Sequence, residues 1–198
     1  MARPKVDKGA EATLKKLLAA AVAEFGRAGY RAVRLDDIAK RVGITRQSLL
    51  YHWPNKECLY RAVIHKVFLD LGVALSGAMV VKGNFAQRLD ALVDHFVGFV
   101  GTHEAVAPLV LREMLDGVGP GHQVLLGEVA PVLDEVEKFL RSSGRGRMRA
   151  RLPVRGVMMQ VVSSVLLRAA AGDLAKPLWG HRDVTRELTR LLVLEGGK

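Results

Sequence analysis

Cysteine is nearly absent from this sequence: Cys58 is the single thiol. One cysteine excludes an internal disulfide and any zinc site built from several thiolates, and it fits a reducing cytoplasm. Strand signals are scarce as well, with little alternation of β-branched and aromatic residues and no Asn-Gly or Asp-Gly hairpin turn. No apolar run long enough to span a membrane is free of charge. The longest candidate, Val67 to Val81, contains Asp70 and two glycines,. The start, Met1-Ala-Arg-Pro-Lys, is basic with no apolar core behind it, so it does not read as a signal peptide,. His65, His95, His103, His122 and His181 are scattered and form no H-E-x-x-H or similar spacing. The run GVGPG, Gly117 to Gly121, lacks the lysine and the strand of a phosphate loop and reads as a connection,. No metal, cofactor or nucleophile–base pair is expected, which argues against an enzyme.

What is present is helical. The 198 residues are 49% hydrophobic, enough for a sizeable core, and Leu, Ala, Val, Arg and Glu recur at helical spacing, which predicts an all-α protein. The net charge of +10 is unevenly spread: residues 1–56 carry 12 Lys/Arg against 5 Asp/Glu, and residues 57–198 carry 18 against 15. A basic first quarter joined to a nearly neutral remainder suggests a polyanion partner for the first part, or a basic surface without one.

Leu14, Leu17, Leu18, Ala21, Val22 and Phe25 form one apolar stripe of a first helix, with Lys15, Lys16, Glu24 and Arg27 off it and Gly29 as its stop,. Leu35, Ile38, Ala39 and Val42 give a second, short helix. Asp36 and Asp37 sit in its first turn and Lys40 and Arg41 near its end, the favourable signs for the helix dipole,. Gly43 breaks it, Thr45 caps a third helix, Pro54 ends that one, and Asn55 caps a fourth. The third helix is thin in apolar residues, with Leu49 inside and Trp53 at its end. One helix braces while the next presents a polar face, which is the helix-turn-helix layout. Arg46 and Gln47, near the start of the presented helix, suit guanine and adenine edges. Ser48, Tyr51 and His52 offer groups for phosphate, Thr45 combines capping with a phosphate contact, and Lys56 adds a cation at the next helix start. The competing reading is an ordinary exposed helix with caps.

Longer helices follow, from about Lys56 towards Ala78, over about Phe85 to Val100, through HEAVAPLVLREML and GHQVLLGEVAPVLDEVEKFLRSS, and finally over Val154 to Ala171 and Asp183 to Leu194. Pro108 and Pro131 predict kinks or breaks. The segment carrying Gly172, Pro177 and Gly180 reads as a loop.

Within this pattern, Leu35 to Val63, LDDIAKRVGITRQSLLYHWPNKECLYRAV, together with Leu17 to Tyr30, LLAAAVAEFGRAGY, resembles the DNA-binding region of the TetR family of bacterial transcriptional repressors. The resemblance rests on F-x-x-x-G-Y, D-I-A-x-x-V-G-I-T and L-x-Y-H-W-P-N-K, and covers about a quarter of the chain. It implies an all-helical homodimer, with operator DNA bound by the first three helices (residues 1–55) and a small-molecule pocket and dimer contacts in residues 56–198. By position, Arg46, Gln47 and Ser48 match the base-reading stretch, and Thr45, Tyr51, His52 and Lys56 the phosphate-contacting positions. Two residues depart from the pattern. Leu50 replaces a common Tyr, losing a polar contact or meeting a thymine methyl. Arg34 stands where Ser or Thr usually caps helix two, losing that cap or taking a phosphate contact itself. The basic arm Arg3, Lys5 and Lys8 is a further candidate for DNA contact.

The pocket is less legible. Phe96, Phe99, Met114, Met158 and Met159 are candidates for its apolar wall, or plain core, with His95, Asp94 and Gln160 as polar anchors. The stripes Val157, Val161, Val165 and Val184, Leu188, Leu191 exceed what a small domain must bury, which suggests a two-fold four-helix dimer interface or burial within one chain. Cys58, in a helix first turn, is a thiolate sensor or an inert thiol. The run Arg141, Arg145, Arg147, Arg149, Arg151 and Arg155 reads as a solvated loop, a second nucleic-acid surface or a gate for an acidic ligand. The sequence thus points to a cytoplasmic, ligand-responsive, dimeric transcriptional repressor, with an architectural DNA-binding protein as the alternative.

Overall fold

In the computed structural model, residues 8–116 and 120–196 are described, with side chains from residue 11. Arg3 and Lys5, the side chain of Lys8, and Gly117 to Gly119 lie outside the described residues. Among the described residues ten helices run in chain order: α1 (Lys8–Ala32), α2 (Leu35–Val42), α3 (Arg46–His52), α4 (Lys56–Met79), α5 (Phe85–Thr102), α6 (Val106–Asp116), α7 (His122–Ser143), α8 (Val154–Ala170), α9 (Ala175–Trp179) and α10 (Thr185–Val193). Among the described residues the only β pairing is an isolated bridge between Met148 and Leu194.

Gly29 interrupts α1 at φ 76°, ψ 167°, and the chain turns there so that Tyr30 stacks on Phe25, 6.3 Å between ring centroids. Gly43 closes α2 in the left-handed region, φ 76°, ψ 30°, which glycine adopts without steric cost. The Ile44 N–H then reaches back to the Ala39 carbonyl at 3.0 Å.

The core runs along α4, whose Leu59, Tyr60, Val63, Ile64, Val67, Phe68, Leu71, Leu75 and Ala78 are buried. By length and composition alone α4 could cross a membrane, contrary to the expectation that charge and shortness excluded every run. So could α8 taken with residues 172–179 beyond a 118° bend. Here α4 instead packs against α1, α5 and α7, and most of its apolar residues join the protein's own core, with Leu69 and Val73 left exposed.

Neither proline breaks its helix. Pro108 is the third residue of α6, where the missing N–H is tolerated; the break lies upstream, at His103 to Ala105. Pro131 sits within α7, which continues through it with Leu125 before it and Val136, Phe139 and Leu140 after it buried. The expected loop after α8 also contains more order: a 3-10 turn over Gly172–Leu174 and α9.

Candidate nucleic-acid interface and apolar cavity

Thr45 starts α3 in the extended conformation, and its hydroxyl oxygen accepts from the Ser48 N–H at 3.1 Å. A seven-residue helix does not hold itself together in water, so its stability comes from packing. Leu49 is its one buried residue, with Ile44, Leu50 and Trp53 half-buried against the same core. Leu50, the departure from the family pattern, is thus engaged mainly by its own protein. The other side of α3 faces solvent: Arg46, Gln47, Ser48, Tyr51 and His52 are all exposed, Tyr51 at 86%. Arg46 lies 3.6 Å from Asp36 of α2. Arg34 precedes α2 in extended conformation, makes no side-chain cap and is exposed.

Lys56 stands apart from this set. Its ammonium donates to the Arg31 carbonyl at 3.1 Å and sits 4.7 Å from the Tyr30 ring centroid. Burial pushes its pKa down. Lys56 therefore closes the end of α1 onto α4, and reaching a phosphate requires leaving that seat.

Glu24, placed off the apolar stripe by sequence, is buried. It accepts from Arg27 at 2.8 Å and pairs with Arg41 at the end of α2. The hydrogen bond from Arg27 and the pairing with Arg41 hold its carboxyl below the usual range against the opposing effect of burial. The signal was in the spacing: Glu24 falls three after Ala21 and seven after Leu17, on their row.

A cavity of about 410 Å³ opens among α4, α5, α6, α7, α8 and α10. Phe96, Phe99, Met114, Met158 and Met159 border it. His95 and Gln160 do not: both are exposed, and the His95 ring Nδ1 lies 2.7 Å from its own helix's Ala91 carbonyl. Asp94 is also turned outward, bound to Arg186 at 2.5 Å. The polar side chains at the wall are His122 and Thr189, which the sequence did not single out because nothing in their spacing marks them. The α8 half of the expected dimer stripe turns at least partly inward. Val157 and Val161 line the cavity and Val165 is buried, because the row from Val154 to Val165 faces α5, α6 and α7. Val184, Leu188 and Leu191 are exposed.

In the Arg run, Arg141 and Arg155 are tied to Glu137, and Arg155 also to Asp134, on α7. Arg145, Arg147, Arg149 and Arg151 are exposed. Cys58 is a free, half-buried thiol in the first turn of α4. Among the described residues no cluster of His, Cys, Asp and Glu has the makings of a metal site.

Residues 17–63 match the family model described as bacterial regulatory proteins, tetR family. The HTH-type transcriptional regulator RutR of Escherichia coli strain K12 is 28% identical over 134 residues, 66% of this chain and 61% of RutR. The match thus spans about three-fifths of that relative's length. The biofilm operon icaADBC HTH-type negative transcriptional regulator IcaR of Staphylococcus epidermidis is 42% identical over 53 residues, 27% of this chain and 29% of IcaR. In fold, the chain is similar to the transcriptional regulator FadR of Bacillus subtilis in complex with stearoyl-CoA, with a TM-score of 0.75 at 14% identity, covering 91% of this chain and 97% of FadR.

Proposed function

Because the chain belongs to the TetR family of bacterial regulatory proteins, we propose that it is a cytoplasmic, dimeric repressor that leaves operator DNA when a small molecule enters the C-terminal cavity. Residues 1–55 form the DNA-binding unit and residues 56–198 the effector and dimer unit. The observation that carries this reading is the two-sided build of α3, with Leu49 fully buried beneath an outward face of Arg46, Gln47, Ser48, Tyr51 and His52.

In a dimer the two copies of α3 enter successive major grooves, about 34–36 Å apart. Arg46 and Gln47 read base edges. Thr45, Ser48, Tyr51, His52 and Arg34 hold phosphates, joined by Lys56 once it is drawn from Arg31. Val184, Leu188 and Leu191 supply apolar surface for the partner. An effector favours a dimer in which the groove spacing is wrong, and by linkage operator DNA weakens effector binding by the same factor.

The test is fluorescence anisotropy with duplex from upstream of the protein's own gene against scrambled duplex, at fixed salt. A clear preference for the upstream duplex, relaxed by Arg46→Ala with Gln47→Ala, supports the reading. Equal affinity for both duplexes rejects it in favour of an architectural DNA binder.

A further inference from the structure

The cavity's wall restricts what it admits. Among the described residues bordering it there is no Asp, Glu, Lys or Arg. Of its two polar side chains, Thr189 has its one proton committed, its hydroxyl donating to the Thr185 carbonyl at 2.7 Å. The other, His122 at the first turn of α7, keeps its ring Nδ1 buried with no hydrogen-bond partner. Buried polar atoms are nearly always paired, so an unpaired one at a cavity wall needs explaining. The nearby carboxylate of Glu113 does not border the cavity. One of its oxygens accepts from the Tyr60 hydroxyl at 2.6 Å, the other is buried and unpaired as His122 Nδ1 is, and the group packs against Gly121 behind the wall.

Resting on the effector reading above, we propose that the cavity takes an uncharged, largely hydrocarbon molecule whose single hydrogen-bonding group meets the ring of His122 at the wall. A charged group would enter walls that offer no counter-charge, at the full cost of desolvation. A polyhydroxylated or zwitterionic compound would lose several solvent hydrogen bonds and regain one. Size narrows the class further. A cavity of about 150 Å³ takes one benzene, so the volume here corresponds to about 16 non-hydrogen atoms by the same scaling. Medium-chain alcohols and ketones and bicyclic aromatics of one polar group fit that description; sugars, nucleotides, amino acids and dicarboxylates do not. The four methionines at the wall, Met114, Met148, Met158 and Met159, suit a ligand defined by bulk and apolarity more than by outline,.

The experiment uses the full-length protein without DNA. N-phenyl-1-naphthylamine, whose fluorescence rises in apolar surroundings, is loaded into the cavity and displaced by dodecan-1-ol, 1-chlorododecane, dodecanoate or dodecyltrimethylammonium below their micellar concentrations. Dodecan-1-ol should displace the dye at a concentration at least tenfold below that of either charged amphiphile, and below that of 1-chlorododecane. His122→Phe should bring the alcohol to the level of the chloride. His122→Gln, which keeps a hydrogen-bonding group, should retain the preference, and thermal melts check that both variants are folded. Equal displacement by a charged amphiphile overturns the proposal, as does a preference for the cation that Glu113→Gln removes. The outcome is separable from the effector reading: an alcohol that binds as expected yet leaves operator affinity unchanged supports the ligand class and rejects release from DNA.

Discussion

Replacing Leu49 and replacing Tyr51 should separate the two faces of α3. Leu49 is fully buried and is the only buried residue of a helix of seven. Truncating a buried leucine to alanine costs about 2–5 kcal/mol, through lost transfer energy and the cavity left behind. The upper half of that range applies where neighbours cannot collapse. Here Ile44 and Trp53 are held at the two ends of the helix and Ile38 by α2, so Leu49→Ala should cost at least about 3 kcal/mol. Tyr51, two residues on, is 86% exposed, and Tyr51→Ala should change stability by no more than about 0.5 kcal/mol. Urea unfolding followed by helical circular dichroism, at one fixed protomer concentration, reads both values. The DNA effects should run differently. Tyr51→Ala loses one hydrogen bond to a charged phosphate, worth about 1.5–3 kcal/mol or roughly ten- to hundredfold in affinity, on a protein that remains fully folded. A Tyr51→Ala variant as unstable as Leu49→Ala, or a Leu49→Ala variant as stable as the parent, would refute the claim that α3 is pinned by one side and presented by the other.

Four further outcomes are expected. At Gly26 a Cβ would lie 2.8 Å from that of Ala105, so Gly26→Val should force α1 from the start of α6 and cost about 1–3 kcal/mol in urea unfolding. Tyr60→Phe deletes the hydrogen bond to the buried Glu113, whose other oxygen is already unpaired, and should cost about 1–3 kcal/mol by the same measurement. Glu24 titrates below its ordinary value of 4.5 when folded; its ion pairs therefore stabilise in full above that value and fade as pH falls through the lowered one. Glu24→Gln should accordingly flatten the acid side of the stability–pH curve. Asp36→Asn frees Arg46 from its 3.6 Å partner and removes a negative charge beside the presented face; affinity for all duplexes should rise in anisotropy titrations, most at low salt.

Much of the DNA-binding region was legible because its signals are local. Caps at Thr45 and Asn55, the glycine at 43 and the stripe through Leu35, Ile38 and Ala39 act within a few residues of themselves, and α2, α3 and α4 begin where those signals put them. The all-helical class followed from periodicity in the same way. The cavity was legible only in its apolar members, such as Phe96 and Met158. Apolarity places a side chain inside, but only the packing of six helices decides which inward side chains meet empty space. His95 and Gln160 carried suitable chemistry on the wrong side of α5 and α8, while His122 carried it at a helix start that no periodic pattern marks. The stripe on α8 turns partly onto its own chain, with Val165 buried and Val157 and Val161 half-buried at the cavity, since a sequence shows that a face is apolar and not whether another chain or this one covers it. Lys56 shows another limit: a cation at a helix start reads as an anion site, and nothing in the sequence marks the backbone carbonyl 25 residues away that competes for it.

The same packing fixes how an event in the cavity can reach α3. Tyr60 of α4 sets its ring edge-on to Phe25 at 4.8 Å and beside Tyr30 at 4.9 Å, both on α1, while its hydroxyl holds Glu113 of α6. Gly121, at the start of α7, lets both approach: a Cβ there would lie 2.6 Å from the Tyr60 ring and 2.7 Å from the Glu113 carboxyl carbon. Four helices thus meet around one tyrosine. Met114 and His122, the residues that follow Glu113 and Gly121 in the chain, border the cavity. A ligand that displaces His122 at the wall would press through Gly121 on Tyr60 and Glu113, where close packing leaves little room to give,. Intermediacy in space is not coupling, and Tyr60→Phe supplies the missing measurement: if the ratio of operator affinities with and without ligand is the same in this variant as in the parent, the signal does not travel through Tyr60.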